Sequence, residues 1–152
     1  MAITGKLVQE VDITCRGNLL HDFYKNKPDQ VAVMTPDKIQ RCDLVTGEWG
    51  APGYVISWHY IHDGKIQTAK EIIEEVDDET HKIVFKVIES ELLQVYTALT
   101  LAVHIEDRDN KQVAVWTINF EKVNANIPDP TIYLDMLCAC TKDMDAYILK
   151  QA

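Results

Sequence analysis

The stretch PDPTIYLDMLCACTKDMDAYILKQA, residues 128–152, sets the terms for the rest of the chain. Asp129 and Pro130 read as an N-cap and a first helical residue: a side-chain acceptor, then a ring that needs no backbone donor. After Pro130 there is no glycine or proline to interrupt a helix. At about 100° per residue, Tyr133, Leu137, Cys140, Met144 and Tyr147 fall on one narrow stripe, with Leu134, Met136, Thr141 and Ile148 beside it. Asp135, Lys142 and Asp145 lie on or towards the opposite side. A helix of about twenty residues is roughly 30 Å long, enough to cross a small domain. Such a helix needs an equally extended apolar surface to lie on.

Upstream, the pattern changes from helical to alternating. ITGKLVQEVDIT (3–14) places Leu7, Val11 and Ile13 on one face and Lys6, Glu10, Asp12 and Thr14 on the other, a half-buried strand. RGNLLHDFYKN (16–26) is a short helix whose apolar side is Leu19, Leu20, Phe23 and Tyr24, and KPDQVAVMT (27–35) is a second short helix or turn. KIQRCDLV (38–45) is a weak strand, TGEWGAPG (46–53) a glycine loop and YVISWHYIH (54–62) a strong strand. Asp63–Gly64 is a hairpin turn signal, with KIQTAKEIIEEV (65–76) as the return strand. IVFKVIE (83–89) follows, with Ile83, Phe85 and Val87 on one face. LLQVYTALTLAVHIE (92–106), the turn DRDNK and QVAVWTINFEKV (112–123) make a last long hairpin. Seven strands joined by short turns, two short helices after the first strand and one long helix at the end indicate a single α+β domain over residues 1–152, with a strongly curved antiparallel sheet.

Composition excludes several classes of function. The chain has 152 residues, of which 47% are hydrophobic and 26% charged, as in an ordinary soluble globule. No run approaches eighteen apolar residues, so no membrane span is expected. The start, MAITGKLVQEVDITC, has neither the basic segment nor the apolar block of a secretion signal, which points to the cytoplasm and to reduced Cys15, Cys42, Cys138 and Cys140. A net charge of −9 argues against nucleic acid as a partner, because neutralising phosphates takes clustered Lys and Arg. Cys138 and Cys140 point away from each other on a helix, and His59 and His62 point to opposite faces of a strand, so neither pair shares a metal. The glycine loop runs into a strand rather than a helix N-terminus, and no Lys-Ser or Lys-Thr pair accompanies it, so it reads as a tight loop and not as a phosphate cradle. EEVDDE (74–79) reads as a solvated turn. Nothing calls for a cofactor.

The ordered strings ITGKL (3–7), PDKIQ (36–40), GEWG (47–50), SWHY (57–60), DGK (63–65), WTINFEK (116–122), PDPTIYLD (128–135) and TKDMDAYIL (141–149) span almost the whole chain. Together they resemble the plant major latex proteins, within the birch-pollen-allergen and class-10 pathogenesis-related (START-like) superfamily. The resemblance implies a helix-grip fold: seven antiparallel strands gripping the C-terminal helix around a large internal cavity that takes hydrophobic or amphipathic small molecules. It implies a carrier or reservoir of a lipid, sterol, flavonoid or alkaloid-like ligand in plant defence or stress. Two alternatives accompany it. Some superfamily relatives are enzymes of alkaloid metabolism, although this chain shows no nucleophile–base set. Ribonuclease activity is the other, and the net charge and the lack of paired histidines count against it.

The residues themselves locate a candidate pocket. Tyr54, Ile56, Trp58 and Tyr60 share one strand face, and Ala114, Trp116, Ile118 and Phe120 share another. Tyr96, Ala98, Thr100 and Ala102 are expected to face inward as well, with side chains small enough to leave space below the helix. A filled core is the competing reading. The candidate lining is Phe23, Ile56, Trp58, Tyr60, Phe85, Tyr96, Ala98, Trp116 and Ile118, with Tyr133, Leu137, Cys140 and Met144 from the helix. Lys70 is added as a polar anchor, since Lys70 with Glu74 and Glu71 with Glu75 occupy opposite faces and either face brings charge inward. Finally, Val95, Leu99, Leu101 and Val103, beside Val113 and Val115, are expected on the convex side of the last hairpin, an apolar patch suited to a weak homodimer.

Overall fold

The computed structural model describes residues 3–151, so Met1, Ala2 and the last residue of the expected C-terminal helix, Ala152, lie outside it. The elements are β1 (Ile3–Ile13), α1 (Gly17–Asn26), a 3₁₀ turn (Pro28–Gln30), α2 (Val31–Met34), β2 (Ile39–Thr46), β3 (Val55–His62), β4 (Lys65–Asp77), β5 (Lys82–Ser90), a 3₁₀ turn (Glu91–Gln94), β6 (Tyr96–Arg108), β7 (Lys111–Lys122) and α3 (Thr131–Gln151). All seven strands form one antiparallel sheet in the order β1-β7-β6-β5-β4-β3-β2. The two edges, β1 and β2, are consecutive in sequence, so α1 and α2 bridge the open side of the sheet between them. Register shifts in the β2–β3, β4–β5 and β6–β7 pairs insert extra residues and bend the sheet into a concave grip. The helix α3 lies in that grip against β1 and β7, with α1 and α2 also packed on it.

Local chemistry explains the boundaries. Asp63 and Gly64 both hold positive φ, 51° and 73°, the conformation of a tight two-residue hairpin. Pro28 enters at the first position of its turn, where a missing N–H is harmless. The Pro130 carbonyl accepts the first helical bond, from the Leu134 N–H at 3.1 Å, so α3 starts one residue later than Asp129–Pro130 predicted. The Asp129 carboxylate instead pairs with Lys122. EEVDDE is only partly a turn, because β4 continues through Glu74, Glu75, Val76 and Asp77.

Two expectations about faces are overturned. A register shift between Tyr96 and Ala98 reverses the alternation of β6 after Tyr96. Leu99, Leu101 and Val103 therefore sit in the core, 1%, 2% and 3% exposed, while Ala98 is turned to solvent and Thr100 and Ala102 are partly exposed. The larger apolar face gains more from leaving water, and the bulge lets it do so without burying less of Tyr96. The convex patch proposed as a dimer surface is thus mostly core. On the true outer face Val113 lies between Asp12 and Glu106, and Val115 between Glu10 and His104. Arg108 joins Glu10 to Glu106 across the flanking strands, and both valines are buried.

Asp145 is the second correction. Its position in the helical pattern points towards the far side of α3, yet it is buried. Its carboxylate accepts from the Thr14 N–H at 2.9 Å, the Thr14 hydroxyl at 2.9 Å and the Cys15 N–H at 2.8 Å. The chain leaves the sheet at that point, and its backbone donors would otherwise go unpaired.

Candidate functional site

Between the sheet and α3 the structure leaves an internal cavity of about 40 Å³. Its floor is Trp58 and Tyr60 from β3, Glu71 from β4, Phe85 from β5, Leu101 from β6 and Trp116 from β7. Tyr133, Met136, Leu137 and Cys140 of α3 form the roof, and Tyr24, Val31 and Ile39 close the end. A space of this size holds only ~1–3 water molecules. The large cavity implied by the resemblance is mostly filled, and aromatic rings fill it. Phe85 stacks on Trp116 with centroids 6.3 Å apart, and Tyr24 presents its edge to both. The Trp116 indole N–H donates to the Thr141 hydroxyl at 2.8 Å, and that hydroxyl donates to the Leu137 carbonyl at 2.9 Å. Its one proton is then used, so the Tyr24 hydroxyl, 2.8 Å away, donates to it.

Glu71 is the one carboxyl on this wall, and it is 2% exposed. Burial pushes its pKa up to about 8, while polar contacts from Trp58 and Tyr133 pull partly the other way. Burial also raises the hydroxyls of Tyr24, Tyr60 and Tyr133 and the Cys140 thiol. At neutral pH the empty cavity is therefore lined by uncharged groups.

A second space of about 360 Å³ lies at the N-terminal end of α3. It is bounded by Pro128–Thr131, Ile132, Leu92, Tyr96, His62 and Gln67, and it shares Tyr60, Tyr133 and Met136 with the internal cavity. Those three side chains are the partition between the two spaces. Tyr60 and Tyr133 meet edge to face with centroids 5.9 Å apart. The Tyr96 hydroxyl donates to the Pro128 carbonyl at 2.6 Å and holds the loop before α3 over this groove.

Of the residues expected to line a pocket, Trp58, Tyr60, Phe85, Trp116, Tyr133, Leu137 and Cys140 face the internal cavity, and Tyr96 faces the groove. Ile56, Ile118 and Met144 are buried in the core without touching either space, and Phe23 is half-buried against it. Two are misplaced. Ala98 faces out because of the β6 bulge. Lys70 also faces out and pairs with Glu89 at 3.1 Å, because Ala69, Glu71 and Ile73 turn inward. Sequence reasoning left Glu71 and Lys70 open between the two faces. The two faces are nearly matched in sequence, Ala69, Glu71 and Ile73 against Thr68, Lys70 and Ile72, so no local signal separates them. Leu101 was expected outside and enters through the β6 register shift, Met136 lies beside the expected stripe, and nothing local marks His62, Gln67, Leu92 or Pro128–Ile132 as groove residues.

The remaining candidates have structural partners. His59 reaches Asp43, and His62 reaches Asp63 at the groove edge. No group of three His, Cys, Asp or Glu suited to a metal occurs among the described residues. Gly50 has φ 85° and lies so close to Asn26 that a Cβ there would overlap the Asn26 amide oxygen, which explains the glycine by close approach to α1. No helix among the described residues is long and apolar enough to cross a membrane.

Comparison with known proteins agrees with this architecture. Residues 2–151 match the model of the pathogenesis-related protein Bet v 1 family. MLP-like protein 43 of Arabidopsis thaliana is 34% identical over 152 residues, covering 99% of this chain and 96% of its own. The crystal structure of ginseng major latex-like protein 151 from Panax ginseng superposes with a TM-score of 0.93 at 37% identity, over 96% of this chain and 98% of that one. Norcoclaurine synthase from Thalictrum flavum shares the fold, with a TM-score of 0.81 over 97% of this chain and 88% of its own, at 15% identity. A matched family model over nearly the full length, together with the seven-stranded grip around α3, places this chain in the pathogenesis-related Bet v 1 family, alongside the major latex proteins.

Proposed function

We propose that this protein binds a hydrophobic or amphipathic small molecule (lipid, sterol, flavonoid or alkaloid-like) beneath α3, as a cytoplasmic carrier or reservoir in defence or stress response. The observation that carries this reading is the pair of adjoining spaces: an apolar internal cavity and a wider groove, which share Tyr60, Tyr133 and Met136 in their walls. Side chains can rotate where backbone cannot. A ligand that displaces this partition gains one continuous site lined by aromatic rings, the usual character of a small-molecule pocket. The packed rings of Phe85, Trp116 and Tyr24 take up much of this space, so a ligand has to displace side chains as it enters.

An environment-sensitive apolar dye should bind saturably at one equivalent and be displaced by fatty alcohols, sterols or flavonoids. Mass spectrometry of the intact protein under native conditions should show small molecules retained from the source. Absence of saturable dye binding by folded protein overturns the reading. A second reading, catalysis, is favoured by one observation: a buried carboxyl with a pKa near 8 is poised for proton transfer at neutral pH. The distinction is chemical, because a carrier returns its ligand unchanged and an enzyme converts it.

A further inference from the structure

We propose that Glu71 is the polar anchor of the site and selects ligands that carry a protonated amine on an apolar body. This rests on the ligand-binding reading and specifies its chemistry. The polar neighbours of Glu71 are the side chains of Trp58 and Tyr133, which also line the cavity, and no cationic side chain joins it there. It is fully buried on the inner face of β4, whereas its neighbours Lys70 and Glu89 pair with each other on the outside. No lysine or arginine lines the internal cavity or the groove, so a ligand carboxylate or phosphate entering there meets no counter-charge. An ammonium group meets the opposite situation. It finds one carboxyl in a lining that includes the aromatic side chains of Trp58, Tyr60 and Tyr133, the residue types whose π-electrons attract a cation. On the way in, the groove presents His62, the hydroxyls of Tyr60, Tyr96 and Tyr133, and Asp129, whose charge is already paired with Lys122.

The proton balance follows from the empty state. An isolated carboxylate in an apolar cavity is costly, so Glu71 holds its proton when the site is empty. When an ammonium ligand arrives, the carboxyl proton leaves to solvent and a carboxylate–ammonium pair remains. The groups facing Glu71 do not supply the charge instead. Tyr133 on α3, Tyr60 on β3, Tyr54 just before β3 and Cys42 on β2 are its titratable neighbours, all are held in their neutral forms by burial, and Cys140 across the cavity is likewise neutral. Below pH 8 the amine should therefore bind more tightly by up to about tenfold per unit rise in pH, with release of about one proton.

Decylamine, 1-decanol and decanoate share one apolar chain and differ in head charge, and they test this on the wild-type protein by calorimetry in two buffers of different ionisation enthalpy. Decylamine is expected to bind at least about tenfold more tightly than decanoate at pH 7, releasing close to one proton. In Glu71→Gln the proton release should vanish and the preference for decylamine over 1-decanol be lost, while a near-ultraviolet circular dichroism spectrum like that of wild type shows that the variant is folded. Equal affinity for amine and carboxylate, or amine binding without proton release, overturns the role of Glu71 even if the variant fails to fold. If 1-decanol alone binds, Glu71 is not an amine anchor but the site stands. If none of the three binds, the ligand-binding reading falls and this inference with it.

Discussion

In the unfolded chain the Glu71 carboxyl ionises near its ordinary value of 4.5, and in the folded protein burial raises that to about 8. An acid shifted upward contributes its full stability below pH 4.5 and loses it progressively as pH rises towards 8, because the unfolded state alone releases the proton in that window. At pH 7 the loss is about 3 kcal/mol. Glu71→Gln should accordingly unfold at a higher denaturant concentration than wild type at pH 7 and at nearly the same concentration at pH 4.5; equal gaps at both values would show that the carboxyl is not held neutral. Asp145 behaves in the opposite sense. Burial pushes its pKa up, but the hydrogen bonds from Cys15 and Thr14 together outweigh that and leave it lowered. Its contribution is present above pH 3.8 and disappears as pH falls through the folded value. Asp145→Ala leaves two backbone donors without an acceptor and should cost about 2–4 kcal/mol at pH 7, measured by urea denaturation, with the gap to wild type narrowing in acid.

The helix α3 shows how an element's role exceeds its pattern. Of its expected stripe Cys140 and Met144 are buried and Tyr133, Leu137 and Tyr147 are half-buried, while Leu134, Thr141 and Ile148 beside it are buried as well. Yet β1, β7, α1 and α2 surround the helix, so Cys138 and Asp145 are buried too, outside the stripe. The wet face remains, through Thr131, Ile132, Asp135, Lys142, Ala146 and the last turn, but the buried arc is wider than one apolar stripe and takes in Asp145 at its edge. Its first turns supply Tyr133 and Met136 to the partition between cavity and groove. Met136→Ala shortens one leaf of that partition. It should lower stability by only about 1–2 kcal/mol, since the residue is half-buried, and raise the association rate of an apolar dye more than its affinity, as read by stopped-flow fluorescence. An unchanged rate would place the route of entry elsewhere.

Across the whole molecule the decisive event is the register shift in β6. It turns Leu99, Leu101 and Val103 into the grip and leaves Ala98, Thr100 and Ala102 outside, so the interior is closely filled and the outer face is not a leucine patch. Leu101→Glu therefore puts an unpaired charge into a fully buried site, at a cost above about 4 kcal/mol, a large share of the roughly 5–15 kcal/mol that holds a domain together. Thr100→Lys on the other face should cost under about 0.5 kcal/mol. Thermal unfolding of the two variants checks this, and the reverse ranking would mean that the strand faces the other way.

Strand number, the order of elements, the hairpin at Asp63–Gly64 and the long C-terminal helix were all readable from alternation and turn chemistry, because each depends on residues adjacent in the chain. So were seven of the cavity residues, since Trp58, Tyr60, Phe85, Trp116, Tyr133, Leu137 and Cys140 sit on strand or helix faces whose period holds without interruption. Orientation was not readable where it depended on partners far away. A bulge in β6 arises from pairing with β7, and it reversed the faces of Ala98 and Leu99 while leaving the local pattern unaltered. Lys70 and Glu71 are neighbours with equal local claims to the interior, and Ala69 and Ile73, pressed against the core, gave it to Glu71. Asp145 looked like a surface residue until the end of β1 brought it two backbone donors from the far end of the chain. Cavity volume belongs to the same class, because it is a small difference between large packed volumes contributed by all the strands and helices at once.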